Sequence, residues 1–290
     1  MITVIGDALM DVHVVPAHPP RPGGDVPAEI RLEPGGQGAN VAVRLARQGL
    51  RVRLACAIGP DAAGALLRDR LAEGVELVEL AAAATGAVVV LLDDRRERTM
   101  LSQRVPLGPG IATLSPPGDG WLVVSGYVLL EPDAGMSGVG ESPRRVLLGC
   151  SLDRSDATRW FERARSLAPH LVVLNAGEAR VIAGEDRTPA ELALQVAGRL
   201  TAIVVVTHPA GAAAALDGQS LEVGARSPGP IVDTTGAGDA FAAGLIAGLV
   251  DEPWPPSRDR LDRAMASAVS LAGAVARVPG AQTRVAEEPA

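Results

Sequence analysis

Lysine is missing from this sequence: every one of its 27 basic residues is arginine. That absence excludes whole classes of chemistry. A Walker A loop closes a lysine on the nucleotide phosphates, and a protein kinase needs its strand lysine. Schiff-base and pyridoxal-phosphate chemistry need a lysine amine. Any phosphate chemistry here must rest on backbone dipoles, arginine and a metal ion. Aromatics are nearly as scarce, with three Trp, one Tyr and two Phe, which leaves little to stack on a nucleobase. The two cysteines, Cys56 and Cys150, lie far apart and form no C-x-x-C; they read as small buried apolar residues in a reducing cytoplasm. The four histidines show no metal-ligand spacing. No apolar run reaches the ~18 residues of a membrane span, and Met1-Ile2-Thr3-Val4-Ile5 lacks the charged start of a signal peptide. A net charge of −7 argues against a nucleic-acid partner.

The chain has 290 residues, 47% of them hydrophobic, enough for one large core with a small appendage. Short β-branched runs alternate with helical patterns through most of it: strand Ile2–Asp7, strand Val52–Ala57, helix Ala62–Ala72, strand Val75–Leu80, strand Trp121–Ser125, strand Val146–Leu152 closed by Asp153, helix Ala157–Leu167, strand Leu171–Leu174, helix Pro189–Leu200 and strand Ala202–Thr207. Alternation of this kind predicts a mostly parallel sheet covered on both faces. Ala213–Leu216 and Ser220–Val223 predict an edge hairpin, and Asp259–Val278 a closing helix. Two further strand pairs sit apart from this rhythm. Val12–Val15 with Ala28–Leu32, and Ala87–Leu92 with Arg98–Ser102 around the tip Asp93–Glu97, predict one small lid sheet. The piece Gly135–Pro143 reads as a loop.

Two stretches carry candidate chemistry. Asp233-Thr234-Thr235-Gly236-Ala237-Gly238-Asp239 follows the extended piece Pro228–Val232 and opens the apolar helix Ala240–Val250. A glycine-rich turn at a helix start presents N–H groups and the positive dipole end to an oxyanion. A carboxylate binds phosphate poorly, so Asp239 suits proton removal from an attacking hydroxyl; the plain alternative is a helix N-cap. Near the other end, Gly35-Gly36-Gln37-Gly38-Ala39-Asn40 leads into a helix ending at Gly49. The diglycine allows close backbone approach, and Asn40 carries both a donor and an acceptor for a ligand hydroxyl. Its position after Gly35-Gly36 puts it away from the phosphate loop. The third glycine of a dinucleotide fingerprint is missing, which counts against a Rossmann oxidoreductase.

DTTGAGD followed by Ala-Phe resembles the C-terminal signature of the ribokinase-like carbohydrate kinases, the phosphofructokinase-B type. GGQGANVAVRLARQG resembles the N-terminal signature of the same family, and Val278-Pro279-Gly280-Ala281 is also similar. The resemblance implies a ribokinase-like three-layer α/β/α fold over residues 1–290, with lid segments at about 12–34 and 87–104. It implies an ATP-dependent sugar kinase in which Asp239 is the base and the Gly236, Ala237 and Gly238 amides bind the transferring phosphoryl group. Asp11, Gly36 and Asn40 match sugar-binding positions. Asn175-Ala176-Gly177-Glu178 reads locally as a helix start with a capping-box variant; it also matches the family's N-x-x-E motif, which holds Mg²⁺ through water, together with phosphate. Thr207, Gly211 and Thr235 fall at nucleotide-side positions. Asp233 matches a monovalent-cation ligand in relatives that need K⁺.

One departure stands out. The family shows Thr-x-Gly-x-x-Gly where this chain reads Thr207-His208-Pro209-Ala210-Gly211; proline lacks an N–H, so a backbone phosphate contact is in doubt. Three rival readings follow. A nucleoside kinase of the same family would need Tyr127, Trp121 or Phe241 for stacking. An acidic sugar would need Arg104 as carboxylate partner. A degenerate sugar or nucleotide sensor would rest on Pro209. The lid edges also raise the possibility of a homodimer through the lid.

Overall fold

The computed structural model describes residues 1–71, 74–93, 98–108, 120–132, 144–225 and 229–288. The hairpin tip at 94–97, Pro228 and the piece at 135–143 lie outside the described residues.

The body is a nine-stranded sheet among the described residues, in the order β13-β12-β11-β10-β9-β8-β1-β4-β5. Its parallel part comprises β11 (Ile203–His208), β10 (Leu171–Asn175), β9 (Arg144–Leu148), β8 (Trp121–Val124), β1 (Ile2–Ile5), β4 (Val52–Ile58) and β5 (Val75–Ala81). The antiparallel hairpin β12 (Gly211–Leu216) and β13 (Gln219–Gly224) closes one edge. The central strands are short runs rich in Val, Ile, Leu and Ala and are largely buried on both faces, as parallel strands require, whereas the edge strands β5 and β13 carry exposed Glu76 and Glu222.

Alternation along β1 shows the two layers. Ile2 and Val4 join a core with α1 (Gln37–Arg47), α2 (Ala62–Leu71), α6 (Ala237–Leu249) and α7 (Arg258–Val275). Ile5 joins the opposite core with α3 (Arg154–Leu167), α4 (Ala176–Ala183) and α5 (Pro189–Leu200). Local signals set the helix starts. Thr188 and Glu191 form a capping box ahead of Pro189. Asp153 caps α3 through Ser155 and Asp156, so α3 begins three residues before the pattern predicts, and β9 ends at Leu148 rather than Leu152.

The second sheet is the lid, ordered β3-β2-β6-β7: β3 (Ala28–Gly35), β2 (Leu9–Pro16), β6 (Gly86–Leu92) and β7 (Arg98–Gln103). The predicted strands are present, but β2 starts at Leu9, so Asp11 stands within a strand. Period-two alternation then gives the lid two faces. Leu9, Asp11 and Val88 face the body cleft. Val12 and Leu32 pair on the other face, with Val14 beside Ile30 and Val89 beside Leu101. Ile30, Leu32 and Leu101 there are 61%, 60% and 63% exposed.

Candidate active site

The phosphate loop meets α6 in the manner its glycines allow. Gly236 is the N-cap residue at φ 75, with no side-chain capping bond. A Cβ at Gly236 would lie 2.7 Å from the Ala281 Cβ, so only glycine fits both the turn and the neighbouring tail. Asp239 is three residues into the sequence after this cap and does not cap the helix, which removes the plain N-cap reading. Its Oδ2 instead accepts a hydrogen bond from Asn40 Nδ2 at 2.8 Å. That contact overturns the expectation that Asn40 stands away from the phosphate loop: α1 packs directly against α6, and the side chains meet. The Ala237 amide closes a turn on the Thr234 carbonyl at 3.3 Å. The Gly236 and Gly238 backbones line a cleft of about 310 Å³ with Asp239.

Across that cleft lie Asp11, Gly36, Gln37, Asn40 and Arg104. Gly36 has φ 95, and a Cβ there would come within 2.7 Å of the Asp7 carbonyl. At Gly35 a Cβ would sit 2.1 Å from Asp11 Oδ2, so the diglycine makes room for a carboxylate as well as for a ligand. Gln37 is fixed at both ends: Oε1 accepts from Ser125 Oγ at 2.7 Å, and Nε2 donates to the Gly149 carbonyl at 2.8 Å. Arg104 donates to Asp7 Oδ2 and stacks 3.4 Å over the Tyr127 ring. Its guanidinium is therefore engaged on two sides while it also lines the cleft where an acidic sugar would need it.

Three carboxyls in this cleft are pushed up to about 7. For Asp11 the causes are burial, then the charges of Asp7 and Asp239. For Glu178 they are burial, opposed by its bond from the Asn175 amide, and the Asp239 charge. For Asp239 burial dominates, the Asn40 bond opposes it most, and Asp7 adds to the rise while Arg44 and Arg104 reduce it. A base titrating near neutrality suits proton abstraction.

Asn175 and Glu178 do form the capping box of α4: Asn175 Oδ1 accepts from the Glu178 amide at 2.9 Å, and Glu178 Oε2 accepts from the Asn175 amide at 2.8 Å. Both also line the cleft. No group of three or more metal-ligating side chains occurs among the described residues. The half-buried Glu178 carboxylate, with no ion pair to it among the described residues, fits an ion that keeps most of its waters and is otherwise held by substrate phosphates, as Mg²⁺ does. Asp233 is committed elsewhere. Oδ1 accepts from the Thr235 amide at 2.9 Å and its hydroxyl at 2.6 Å, and Oδ2 accepts from the Gly280 amide at 3.0 Å. These bonds order the phosphate loop; Thr235 lines the cleft, and Asp233 does not.

A second cavity, of about 630 Å³, adjoins the first and shares Asn175, Thr207, Thr234 and Gly238 with it. Ala176, Phe241, Val269, Ala272 and Ala276 make its walls largely apolar, and Gly211 and Ala237 lie on its rim. Pro209 is explained here. His208 pairs with Gly211 across the β11–β12 hairpin, leaving Pro209 and Ala210 as the two turn residues. Proline suits the first turn position, where the ladder needs no N–H. Of the three aromatic candidates, Trp121 is in the core against Trp254, Phe241 borders this second cavity, and Tyr127 faces the first with its ring covered by Arg104. Sequence reasoning missed Gln282, whose Nε2 donates to Asn40 Oδ1 at 3.0 Å. It also missed the pair of buried Arg44 with Glu288 at 2.7 Å. Neither has a spacing signal, since each joins α1 to a tail more than two hundred positions away.

A helix N-terminus with a carboxylate beside it opens on two joined cavities, the first of them under a β lid, an arrangement suited to phosphoryl transfer. The sequence matches the model of the pfkB family carbohydrate kinases over residues 1–108 and 149–288. It is 33% identical to a fructokinase from Klebsiella pneumoniae, over 97% of this chain and 95% of that protein. The chain therefore belongs to the pfkB family of carbohydrate kinases. Its fold is shared by a ribokinase from Cryptococcus neoformans var. grubii solved with ADP (TM-score 0.74, 22% identity, 97% of this chain and 94% of that one) and by an adenosine kinase from Sinorhizobium meliloti (TM-score 0.78, 20% identity, 99% and 96%).

Proposed function

We propose that this carbohydrate kinase transfers the γ-phosphoryl group of ATP to a primary hydroxyl of a small neutral sugar, with a ketohexose such as fructose first among candidates. The single observation that carries the reading is Asp239, a carboxyl shifted to about 7, between the Gly236–Gly238 turn and the polar cleft of Asp11 and Asn40. In this reading the sugar occupies the first cavity and the nucleotide the second. Asp239 takes the hydroxyl proton as the oxygen attacks, and the Gly236 and Gly238 amides receive the charge on the phosphoryl oxygens. Asp11, Gly36 and Asn40 hold sugar hydroxyls; Thr207 and Gly211 border the nucleotide, while Thr235, a nucleotide-side position by resemblance, lines the first cavity. Mg²⁺ would be held through water by Glu178 with Asn175 beside it, where it neutralises phosphate charge.

A nucleoside acceptor is disfavoured because Tyr127, the one aromatic ring that faces the first cavity among the described residues, already stacks on Arg104. Pro209 lends no support to a sensor, since it is accommodated in a turn. Residues 1–290 act in this reading as one unit, in a cytoplasmic setting, with segments of about 12–34 and 87–104 as its lid. No helix among the described residues is long and apolar enough to cross a membrane. Two copies meet through the apolar outer lid face, where Ile30, Leu32 and Leu101 stand exposed. K⁺ near Asp233 would have to share a carboxylate whose two oxygens already accept bonds.

ADP release with a panel of sugars and nucleosides tests the proposal. Fastest turnover on a neutral sugar is expected; turnover confined to nucleosides would overturn it. Light scattering that gives 29.7 kDa across micromolar concentrations would remove the dimer.

A further inference from the structure

We propose that Gln282 is a positioning residue for the reaction: through Asn40 it fixes the orientation in which Asp239 is held. The inference rests on Asp239 being the base. Two hydrogen bonds join the three side chains in series, Gln282 Nε2 to Asn40 Oδ1 at 3.0 Å and Asn40 Nδ2 to Asp239 Oδ2 at 2.8 Å. The chemistry sets the direction of both bonds. An ionised carboxylate only accepts, so Asn40 must present its NH₂ to Asp239. Its carbonyl then points the other way, in a buried position, and requires a donor. Gln282 supplies that donor from the tail.

The tail holds Gln282 firmly enough for this task. The Gln282 carbonyl accepts from Arg47 Nη1 at 2.7 Å, the preceding Ala281 carbonyl from buried Arg44 Nη2 at 2.7 Å, and Asp233 binds the Gly280 amide. Without the Gln282 amide, Asn40 would lose the feature that distinguishes its two ends. A flipped Asn40 would set its carbonyl oxygen against the Asp239 carboxylate. Both the aim of the base and its proton affinity would change. The other charged groups acting on Asp239 are Asp7, Arg44 and Arg104, and Asp239 in turn acts on Asp11 and Glu178. None of them is altered by a change at Gln282.

The test uses Gln282→Met, which keeps length but removes the donor, and Gln282→Glu, which keeps shape but reverses the role of the terminal group when ionised. Both are compared with wild type and with Asp239→Asn. Turnover is measured on D-fructose or on the fastest sugar of the panel, and Asp239 is titrated in the free protein by carboxyl ¹³C NMR. In Gln282→Met, kcat is expected to fall about tenfold with KM for ATP unchanged. The Asp239 titration should move up by about 0.7 of a pH unit, the equivalent of one ordinary hydrogen bond. In Gln282→Glu the loss should be larger, because the ionised side chain draws the Asn40 NH₂ away from Asp239. A residue that only anchors the tail predicts a change in melting temperature with kcat and titration unmoved, and that result in either folded variant would overturn the inference. Collapse of kcat in Asp239→Asn alongside normal Gln282 variants removes the positioning role and leaves the base. Normal kcat in Asp239→Asn removes both.

Discussion

The two cavities that meet at Gly238 are built in opposite ways. The first is made of side chains that hold one another: Asn40 on Asp239, Gln282 on Asn40, Arg104 on Asp7 and Tyr127, Gln37 between Ser125 and Gly149. The second is made of turns and small apolar residues along α6 and α7, with few polar side chains committed. A site built from mutually bonded side chains tolerates little change and selects its ligand by hydroxyl geometry. A site built from backbone and small side chains is selective through available space. The Pro209 departure falls in the second kind of wall, where a hairpin turn absorbs it.

The largest effect should come from Asp239→Asn. The near-isosteric change leaves the fold intact, removes the base and lowers kcat by roughly 10²–10⁴-fold, about 3–5 kcal/mol of barrier. A loss below about tenfold in a folded protein would show that the first cavity does not hold the base. Next is Glu288→Ala. Arg44 is fully buried, and its partner Glu288 is the support on which α1 and the tail meet. Stranding a buried charge should cost about 3–5 kcal/mol of stability, read as a drop in denaturant midpoint; a shift under about 1 kcal/mol, the value of an exposed pair, would mean the clamp is dispensable.

A reciprocal pair separates the cavities. Ala272→Leu fills the second wall and should weaken binding of a non-hydrolysable ATP analogue by about 1–3 kcal/mol, with sugar KM unchanged. Asn40→Ala should raise sugar KM by the equivalent of about 0.5–1.5 kcal/mol and lower kcat, with analogue affinity unchanged. The reverse pattern in calorimetry and kinetics would exchange the two assignments.

The same contrast predicts a pH effect. Asp11, Asp239 and Glu178, each near 7 when folded, titrate near 4 when unfolded. Between those values the folded chain binds more protons, so stability falls as pH rises from about 4 to 7. The carboxyls shifted downward, such as Asp61 at about 2, act only below that window. The melting temperature without ligands should be lower at pH 8 than at pH 5.5, and equal values would contradict the shifts. The smallest effect belongs to Pro209→Ala. Losing a proline from a compatible turn should destabilise by about 0.4–1 kcal/mol, with analogue affinity unchanged; tenfold tighter analogue binding would show that the ring does obstruct the nucleotide.

What was legible in the sequence follows the same division. The strand–helix rhythm announced the body because buried parallel strands are continuous apolar runs; the helix start at Pro189 falls where the pattern predicts, whereas Asp153 reads in the sequence as the close of a strand and not as the cap of α3. Asp239, Gly36 and Asn40 could be singled out because each lies in or beside a glycine-rich turn that opens a helix, whereas Asp11, which stands inside a strand, was marked only by the family resemblance. The lid strands were found by alternation, although the start of β2 was set too late because Leu9 and Met10 are apolar in succession. Contacts between distant segments left no local trace. Asn40 against Asp239, Gln282 against Asn40 and Arg44 against Glu288 depend on α1, α6 and the tail converging, which spacing along one segment does not record.

The bond between Asp7 and Arg104 has a consequence for the pace of the catalytic cycle. Asp7 follows body strand β1, whereas Arg104 follows lid strand β7 directly. An outward swing of the lid must part these two charges and lift Arg104 from Tyr127 before product can leave. Where lid opening limits turnover, dissolved salt would act as a lubricant, since mobile ions screen the two charges once they have parted into water. The steady-state rate would then carry an ionic-strength dependence set at the Asp7–Arg104 contact between body and lid.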